Sequence, residues 1–109
     1  MKFGLKDSFW DKIVEVFSNF PQISHAKLFG SRAKGNFREN SDIDIVLFGK
    51  DLNLSTLNKI DLKIEDLFMP YQVDLILFET IDNDELINHI NRVGVTIFKN
   101  QNISEINDN

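Results

Sequence analysis

Two aspartates at the start of a strongly apolar segment constrain the fold of this chain more than any other feature. Residues 43–48, IDIVLF, are rich in β-branched and aromatic side chains, and beyond the acids both faces of the segment are apolar. This pattern predicts an interior β-strand. Because side chains alternate between the two faces of a strand, we expect Asp42 and Asp44 to project from the same side.

A third aspartate occupies the corresponding place in the next apolar segment, residues 72–78, QVDLILF. A helical pattern separates the two segments, so the two strands, if they are neighbours, lie parallel through a right-handed crossover. Asp74 then meets Asp42 and Asp44 at one end of one sheet face. Three like charges held together raise one another's pKa and repel each other unless a cation lies among them.

Hard divalent cations fit such a group of carboxylates, since Mg²⁺ takes oxygen ligands and leaves positions open for water and phosphate. We expect Asp42 and Asp44 to bridge two Mg²⁺ ions and Asp74 to hold one of them, which is the two-metal arrangement for in-line displacement at phosphorus. Asp74 is also placed to accept the proton of an attacking hydroxyl. The alternative for an isolated SDID sequence is a pair of aspartates that cap a turn at the start of a strand.

A glycine-containing basic loop, GSRAKG at residues 30–35, precedes the first acidic strand. Gly30 lets the backbone approach a ligand closely, and Ser31 offers a hydroxyl. A short helical turn after them would direct free N–H groups at an anion. Arg32 or Lys34 can neutralise a leaving pyrophosphate. The alternative is an ordinary solvated loop.

The composition predicts one globular domain over residues 1–100 and a polar tail, residues 101–109, that we expect to be disordered. The formal net charge of −5 argues against a general binder of duplex nucleic acid, which would show a basic face. The sequence has no cysteine, no apolar run as long as a membrane span and no signal-peptide pattern. We therefore expect a cytoplasmic location and no membrane partner.

Hydrophobic periodicity predicts an α/β two-layer arrangement of helices and strands. The expected helices cover residues 7–19, 54–68 and 82–92, and the expected strands cover residues 26–29, 43–48, 72–78 and 95–98. Asp7 or Ser8 is expected to cap the first helix, and Asn53 or Ser55 the second.

Three ring side chains have no clear place in the predicted site. His25 and His89 have no second histidine at ligand spacing, so we expect a surface or capping role for each. Tyr71 precedes the third strand, where it either stacks on a base or packs at the edge of a turn.

The stretch GSRAKGNFRENSDIDIVLF resembles the nucleotidyltransferase superfamily that includes DNA polymerase beta. The resemblance rests on Gly30 and Ser31, ten intervening residues and then Asp42 and Asp44, with Asp74 on the next strand. The chain is similar to the minimal nucleotidyltransferases of bacteria and archaea over about residues 8–98. The resemblance implies a nucleotidyltransferase fold, a two-layer mixed sheet with helices packed on one side.

The resemblance also implies a function. Minimal nucleotidyltransferases of this kind form one half of two-gene modules whose partner is an all-helical HEPN protein, often an RNase toxin. They act as antitoxins by transferring AMP from ATP to a tyrosine hydroxyl of the partner. Carried over to this sequence, Gly30 and Ser31 would bind the triphosphate of ATP or another NTP. Asp42 and Asp44 would hold both metal ions, and Asp74 one ion and the proton of the nucleophile.

Two alternatives remain open at this point. A non-catalytic nucleotide-binding subunit would neutralise its partner by complex formation alone, although the three intact acids speak against it. A transferase acting on a small molecule such as an aminoglycoside is the other alternative. Larger relatives hold such acceptors with an extra helical domain, for which the 109 residues of this chain leave no room.

Overall fold

The computed structural model describes residues 1–100, which form one four-stranded sheet with helices on its faces. The helices are α1 (Asp7–Ser18), α2 (Gly30–Lys34), α3 (Leu54–Glu65) and α4 (Asp84–Val93). The strands are β1 (His25–Phe29), β2 (Ile43–Phe48), β3 (Val73–Leu77) and β4 (Val95–Lys99). Phe78–Thr80 form a single 3₁₀ turn after β3. In this part of the chain, no helix has the length and hydropathy needed to cross a bilayer.

These elements agree closely with the prediction. β2 has the predicted bounds, and the other predicted strands and the first and third predicted helices end within two residues of the observed ones. The predicted helical turn after β1 is present as α2. The predicted tail, residues 101–109, lies outside the described residues.

The largest difference is the end of α3, which stops at Glu65 and not at residue 68. The N–H groups of Leu67 and Phe68 bond to the carbonyls of Ile64 and Glu65, so the chain tightens into three-residue turns after the helix. Phe68 then adopts a left-handed backbone conformation with φ of 52°. Pro70 follows two residues later and cannot continue a helix.

The predicted helix caps are confirmed for α3 only. The Asn53 side chain accepts a hydrogen bond from the Thr56 N–H group at 2.9 Å, as an N-cap residue does. For α1 the prediction of Asp7 or Ser8 is wrong, because Lys6 occupies the cap position and makes no side-chain cap bond. Asp7 is instead the first helical residue, where its negative charge is favourable near the helix N-terminus.

The strand order is β3-β2-β1-β4. β1 pairs antiparallel with both β2 and β4, whereas β2 and β3 are parallel, as the sequence predicted. A parallel pair needs a long crossover, which α3 supplies. The register sets Asp44 directly beside Asp74, and Phe29 of β1 lies beside Asp44 on its other flank.

The two faces of the sheet are covered unequally. α1 and α3 pack on one face and form the main core, whose fully buried members include Ile13, Leu28, Ile45 and Ile60. A smaller apolar cluster on the opposite face joins Phe29 and Val46 to Ile90 of α4. Burial of both faces is what the apolar character of β2 requires.

The predicted α/β fold with a mixed sheet is therefore confirmed, with one correction to its layers. The helices were expected on one side only, and α4 lies on the other side. The reason is that Val46 and Phe48 continue the face that begins with Asp44, and these apolar side chains need cover that Ile90 and Leu86 of α4 provide.

The cap of α4 gives a test of this arrangement. The Asn83 side chain accepts hydrogen bonds from the N–H groups of Glu85 and Leu86 at 2.9 and 3.2 Å. Asn83→Ala should therefore lower the free energy of unfolding by about 1 kcal/mol. Asn88→Ala, at an exposed position inside the same helix, is the matched control and should change it by less than about 0.5 kcal/mol. Urea denaturation followed by circular dichroism compares the two, and equal effects would contradict the cap assignment.

Candidate active site

The pairing of β2 with β3 brings two of the predicted carboxylates together. Asp44 and Asp74 are register partners on adjacent parallel strands, which lie about 5 Å apart. Both side chains are half-buried, and Asp42, in the position before β2, is exposed. The acids thus lie at one end of the sheet face that continues as Val46 and Ile76.

Asp44 shows the electrostatic consequence of this placement. Burial raises the pKa of the Asp44 carboxyl, and the charges of Asp74 and Asp42 raise it further. His89 acts in the opposite direction and lowers it. Both other predicted acids therefore act on Asp44 through their charge, and a cation placed among the three would relieve the repulsion.

The carboxylate oxygens of these residues suit a hard divalent cation. The side chains are not arranged as a complete set of metal ligands. In residues 1–100, no group of three or more His, Cys, Asp or Glu side chains is already close enough to hold a metal ion. One Asp74 oxygen accepts a hydrogen bond from the Gln72 side-chain amide at 3.2 Å. The three aspartates thus offer the oxygen ligands that Mg²⁺ prefers, at the same end of the sheet. A shared ion would have to draw their side chains together.

Gly30 lies against this group of acids. Its φ of 75° is in the left-handed region, and a Cβ atom at this position would overlap an Asp44 carboxylate oxygen. Only glycine satisfies both conditions without strain. The helical turn α2 begins here and ends at Gly35, whose N–H group bonds to the Ser31 carbonyl at 2.9 Å. The predicted Gly-Ser turn, Gly30 and Ser31 at the start of α2, is called the Gly30 turn below. It lies beside the Asp44 carboxylate in the fold.

His89 is a site residue that the sequence did not reveal. Its Nε2 atom accepts a hydrogen bond from the Gly30 N–H group at 3.0 Å, and its ring meets the edge of Phe29. Of the expected surface or capping role, the capping part is confirmed, because His89 accepts from the first N–H group of α2. The sequence feature that could have identified His89 is its spacing. It lies three residues after Leu86 and next to Ile90, on the apolar face of α4.

Arg32 and Lys34, both predicted to contact nucleotide, have different environments. Arg32 is 1% exposed, and its guanidinium donates to the backbone carbonyls of Phe3, Glu39 and Ser41. The prediction that Arg32 neutralises pyrophosphate is therefore wrong, since its donors are directed into the protein. Lys34 is exposed at the end of α2, where its ammonium is free to meet solvent or ligand.

The remaining ring residues pack within the fold. Tyr71 is half-buried and places its ring against Phe9 and the Arg32 guanidinium, which supports packing over base stacking. His25 stacks on Phe48 with ring centroids 4.1 Å apart, at the end of the sheet face away from the acids.

Comparison with known proteins identifies the family of this chain. The family model described as polymerase beta, nucleotidyltransferase matches residues 11–103, which include all three aspartates and the Gly-Ser turn. This chain belongs to the polymerase beta nucleotidyltransferase family. A comparison with curated proteins gives no significant match.

Solved structures of nucleotidyltransferases from toxin–antitoxin complexes share the fold. A toxin–antitoxin structure with AMP-PNP has a TM-score of 0.68 and 25% identity over 89% of this chain and 78% of that chain. A variant of the MntA toxin–antitoxin complex with two aspartates changed to glutamate has a TM-score of 0.67 and 23% identity over 89% and 78%. The complex of tri-AMPylated HEPN toxin with MNT antitoxin from Shewanella oneidensis has a TM-score of 0.65 and 21% identity over 94% and 79%.

Two glycines with positive φ provide a matched test of the Gly30 turn. Gly30→Ala should disrupt the site, because the new methyl group overlaps the Asp44 carboxylate as well as straining the backbone. Gly35→Ala carries the backbone strain alone, since φ is 90° there and nothing lies within 4 Å of the new atom. We expect a larger loss of stability for Gly30→Ala in urea denaturation. Equal losses would show that backbone strain alone explains both.

The raised pKa of Asp44 predicts a pH dependence of stability. The fold favours the protonated carboxyl, so ionisation destabilises the protein as the pH rises through the ordinary carboxyl range near about 4 and beyond. Asp44→Asn, which is always neutral, should therefore be more stable than the wild type at pH 7 in EDTA. The difference should vanish at a pH below that range.

Urea denaturation at several pH values in EDTA measures this effect. Asp82→Asn, an exposed aspartate before α4, is the control and should not show it. A wild type that is as stable as Asp44→Asn at pH 7 would contradict the electrostatic analysis.

Proposed function

We propose that this chain is a Mg²⁺-dependent nucleotidyltransferase that transfers a nucleoside monophosphate, most directly AMP from ATP, to a hydroxyl of a HEPN-type protein partner. In this proposal it is the antitoxin of a toxin–antitoxin pair and acts in the cytoplasm, where ATP is available. The observation that carries the proposal is the register pairing of Asp44 with Asp74 directly beside the Gly30 turn.

The comparisons support the proposal at the level of family and fold. Relatives with this fold occur in a toxin–antitoxin structure with AMP-PNP and in a complex with a tri-AMPylated HEPN toxin. In the MntA variant the two substituted aspartates are two positions apart, which is the spacing of Asp42 and Asp44. The acceptor and nucleotide proposed for this chain follow from these relatives.

Asp42, Asp44 and Asp74 would hold the metal ions, two in the full arrangement. Bound Mg²⁺ would supply charge stabilisation for the entering and leaving oxygens. Asp44 and Asp74 are half-buried, so the attraction between their carboxylates and a metal ion would be less screened than in bulk water.

The reaction is a substitution at the α-phosphorus of the nucleotide. The acceptor oxygen forms a bond to phosphorus, the bond to the oxygen that bridges to pyrophosphate breaks, and pyrophosphate leaves. Asp74 would receive the proton of the acceptor hydroxyl. Its carboxylate has one oxygen bonded to the Gln72 amide, which restricts its orientation and leaves the other oxygen for this role.

The Gly30 turn would hold the triphosphate through the Gly30 N–H group and the Ser31 hydroxyl. The Gly30 N–H group bonds to His89 in the structure, so nucleotide binding at this atom requires an exchange of partner. Lys34 is the basic residue of the loop that remains exposed for the leaving pyrophosphate. Arg32 has no place in this contact set, for the reasons given above.

Intact-mass spectrometry tests the proposal. The purified chain, alone and together with a candidate HEPN-type partner, is incubated with Mg²⁺ and each NTP in turn. We expect the mass of the partner to increase by whole nucleoside-monophosphate units with ATP. Asp42→Asn should abolish the increase, and Asp11→Asn, at an exposed position on α1, should leave it unchanged.

Other outcomes would contradict the proposal in distinct ways. Transfer that survives Asp42→Asn would contradict the metal assignment. A stable complex without any mass increase would favour a binding subunit that neutralises its partner by complex formation alone. Modification of an added aminoglycoside, with the protein masses unchanged, would favour a small-molecule acceptor.

A further inference from the structure

Arg32 combines deep burial with the absence of a carboxylate partner. It is the only charged side chain that is buried in residues 1–100, and the ion pairs found there do not include it. A buried charge is costly unless hydrogen bonds satisfy it. Arg32 meets this requirement through backbone carbonyls alone, so its location is defined by the chain segments that carry those carbonyls.

Two of the four hydrogen bonds of the guanidinium go to the residue before Asp42. Two guanidinium nitrogens, Nε and Nη2, donate to the Ser41 carbonyl at 3.1 and 2.9 Å. The Ser41 carbonyl belongs to the peptide plane that also contains the Asp42 nitrogen and Cα atoms. By fixing this plane, Arg32 fixes the point from which the Asp42 side chain projects.

The same guanidinium also holds the segments that flank this peptide. Nη2 donates to the Glu39 carbonyl at 3.1 Å, and Nη1 donates to the Phe3 carbonyl at 2.9 Å. The rings of Phe37 and Tyr71 lie 5.0 and 5.5 Å from the guanidinium carbon and restrict its orientation. Few donor directions remain for any other ligand.

Arg32 also belongs to the Gly30 turn, since both residues are part of the short helix α2. One side chain thus connects the turn at the start of α2 to the peptide at the start of β2. The connection bridges the exposed loop between them, residues 34–40, in which only Phe37 is not exposed.

We propose that Arg32 is a positioning residue for nucleotidyl transfer, which sets the geometry between the Gly30 turn and the Asp42 carboxylate without touching substrate. The inference rests on the proposed function for the reaction and on the hydrogen bonds for the geometry. A lysine at this position keeps the charge and cannot reproduce the planar fork that binds three carbonyls. Arg32→Lys therefore keeps the positive charge and removes the hydrogen-bond geometry of the guanidinium.

The first experiment compares Arg32→Lys with Arg38→Lys, the matched control at an exposed position of the same loop. Urea denaturation first defines conditions in which each variant is fully folded. Under those conditions Arg32→Lys should lower kcat roughly 10- to 100-fold, the loss expected when a reacting group is misplaced by about 1 Å. The KM for ATP should change less, and Arg38→Lys should behave as wild type. A folded Arg32→Lys with wild-type kcat would overturn the proposal.

A second measurement uses the wild-type chain and does not depend on the folding of a variant. In ¹⁵N NMR spectra the Arg32 Nε–H signal should exchange slowly with water and should keep its chemical shift when AMP-PNP and Mg²⁺ are added. A large shift of this signal, together with rapid exchange, would show that Arg32 contacts the nucleotide and would overturn a positioning role.

A measurement of Mn²⁺ affinity tests the positioning role of Arg32 even if the proposed transfer reaction does not occur. If no partner is modified, the affinity of Mn²⁺ for the chain in the presence of AMP-PNP still reports the geometry of Asp42. Arg32→Lys should weaken it roughly tenfold, as expected for a disturbed shell around metal ligands, and Arg38→Lys should not. Equal affinities in Arg32→Lys and the wild type would overturn the positioning role whether or not transfer occurs.

Discussion

The parallel pairing of β2 with β3 is the constraint on which the rest of the structure depends. This pairing places Asp44 beside Asp74 at an energetic cost, because burial and the charge of Asp74 both disfavour ionisation of Asp44. Apolar contacts beyond the acids offset this cost: Ile45 and Leu47 pack into the main core on one face, and Val46 packs against Ile90 of α4 on the other. The sheet thus holds Asp44 and Asp74 side by side, with Asp42 two residues before Asp44, which is the placement that a cation-dependent site requires.

The sequence predicted the acidic strands well because their signal is local. IDIVLF and QVDLILF each carry their strand pattern and their aspartate within seven residues, and the helical pattern between them predicted the parallel crossover. Gly30 was expected to let a ligand approach the backbone; the group that lies against it in the structure is the Asp44 carboxylate, and the ligand contact stays a prediction. The side of the sheet on which α4 packs was missed, since apolar periodicity defines a helix face and not the surface that it meets.

The roles of Arg32 and His89 were not predicted because both side chains bond to backbone groups, some of them distant in the sequence. His89 binds an N–H group 59 positions earlier, and Arg32 binds three carbonyls, one of them 29 positions earlier. Almost any residue type can supply a backbone N–H or carbonyl group, so no sequence pattern predicts such contacts. Both residues shape the backbone around the acids, and the site therefore depends on more of the chain than the motif suggests.

The proposed function requires Asp42, Asp44 and Asp74 to bind a divalent cation together with nucleotide. Electron paramagnetic resonance of Mn²⁺ tests it directly, with AMP-PNP present at fixed concentration and wild type compared with Asp44→Asn. We expect wild-type protein to lower the free Mn²⁺ signal below that of nucleotide alone, and Asp44→Asn not to do so. Equal binding by the two proteins would contradict metal binding at Asp44 and the three-aspartate site built on it.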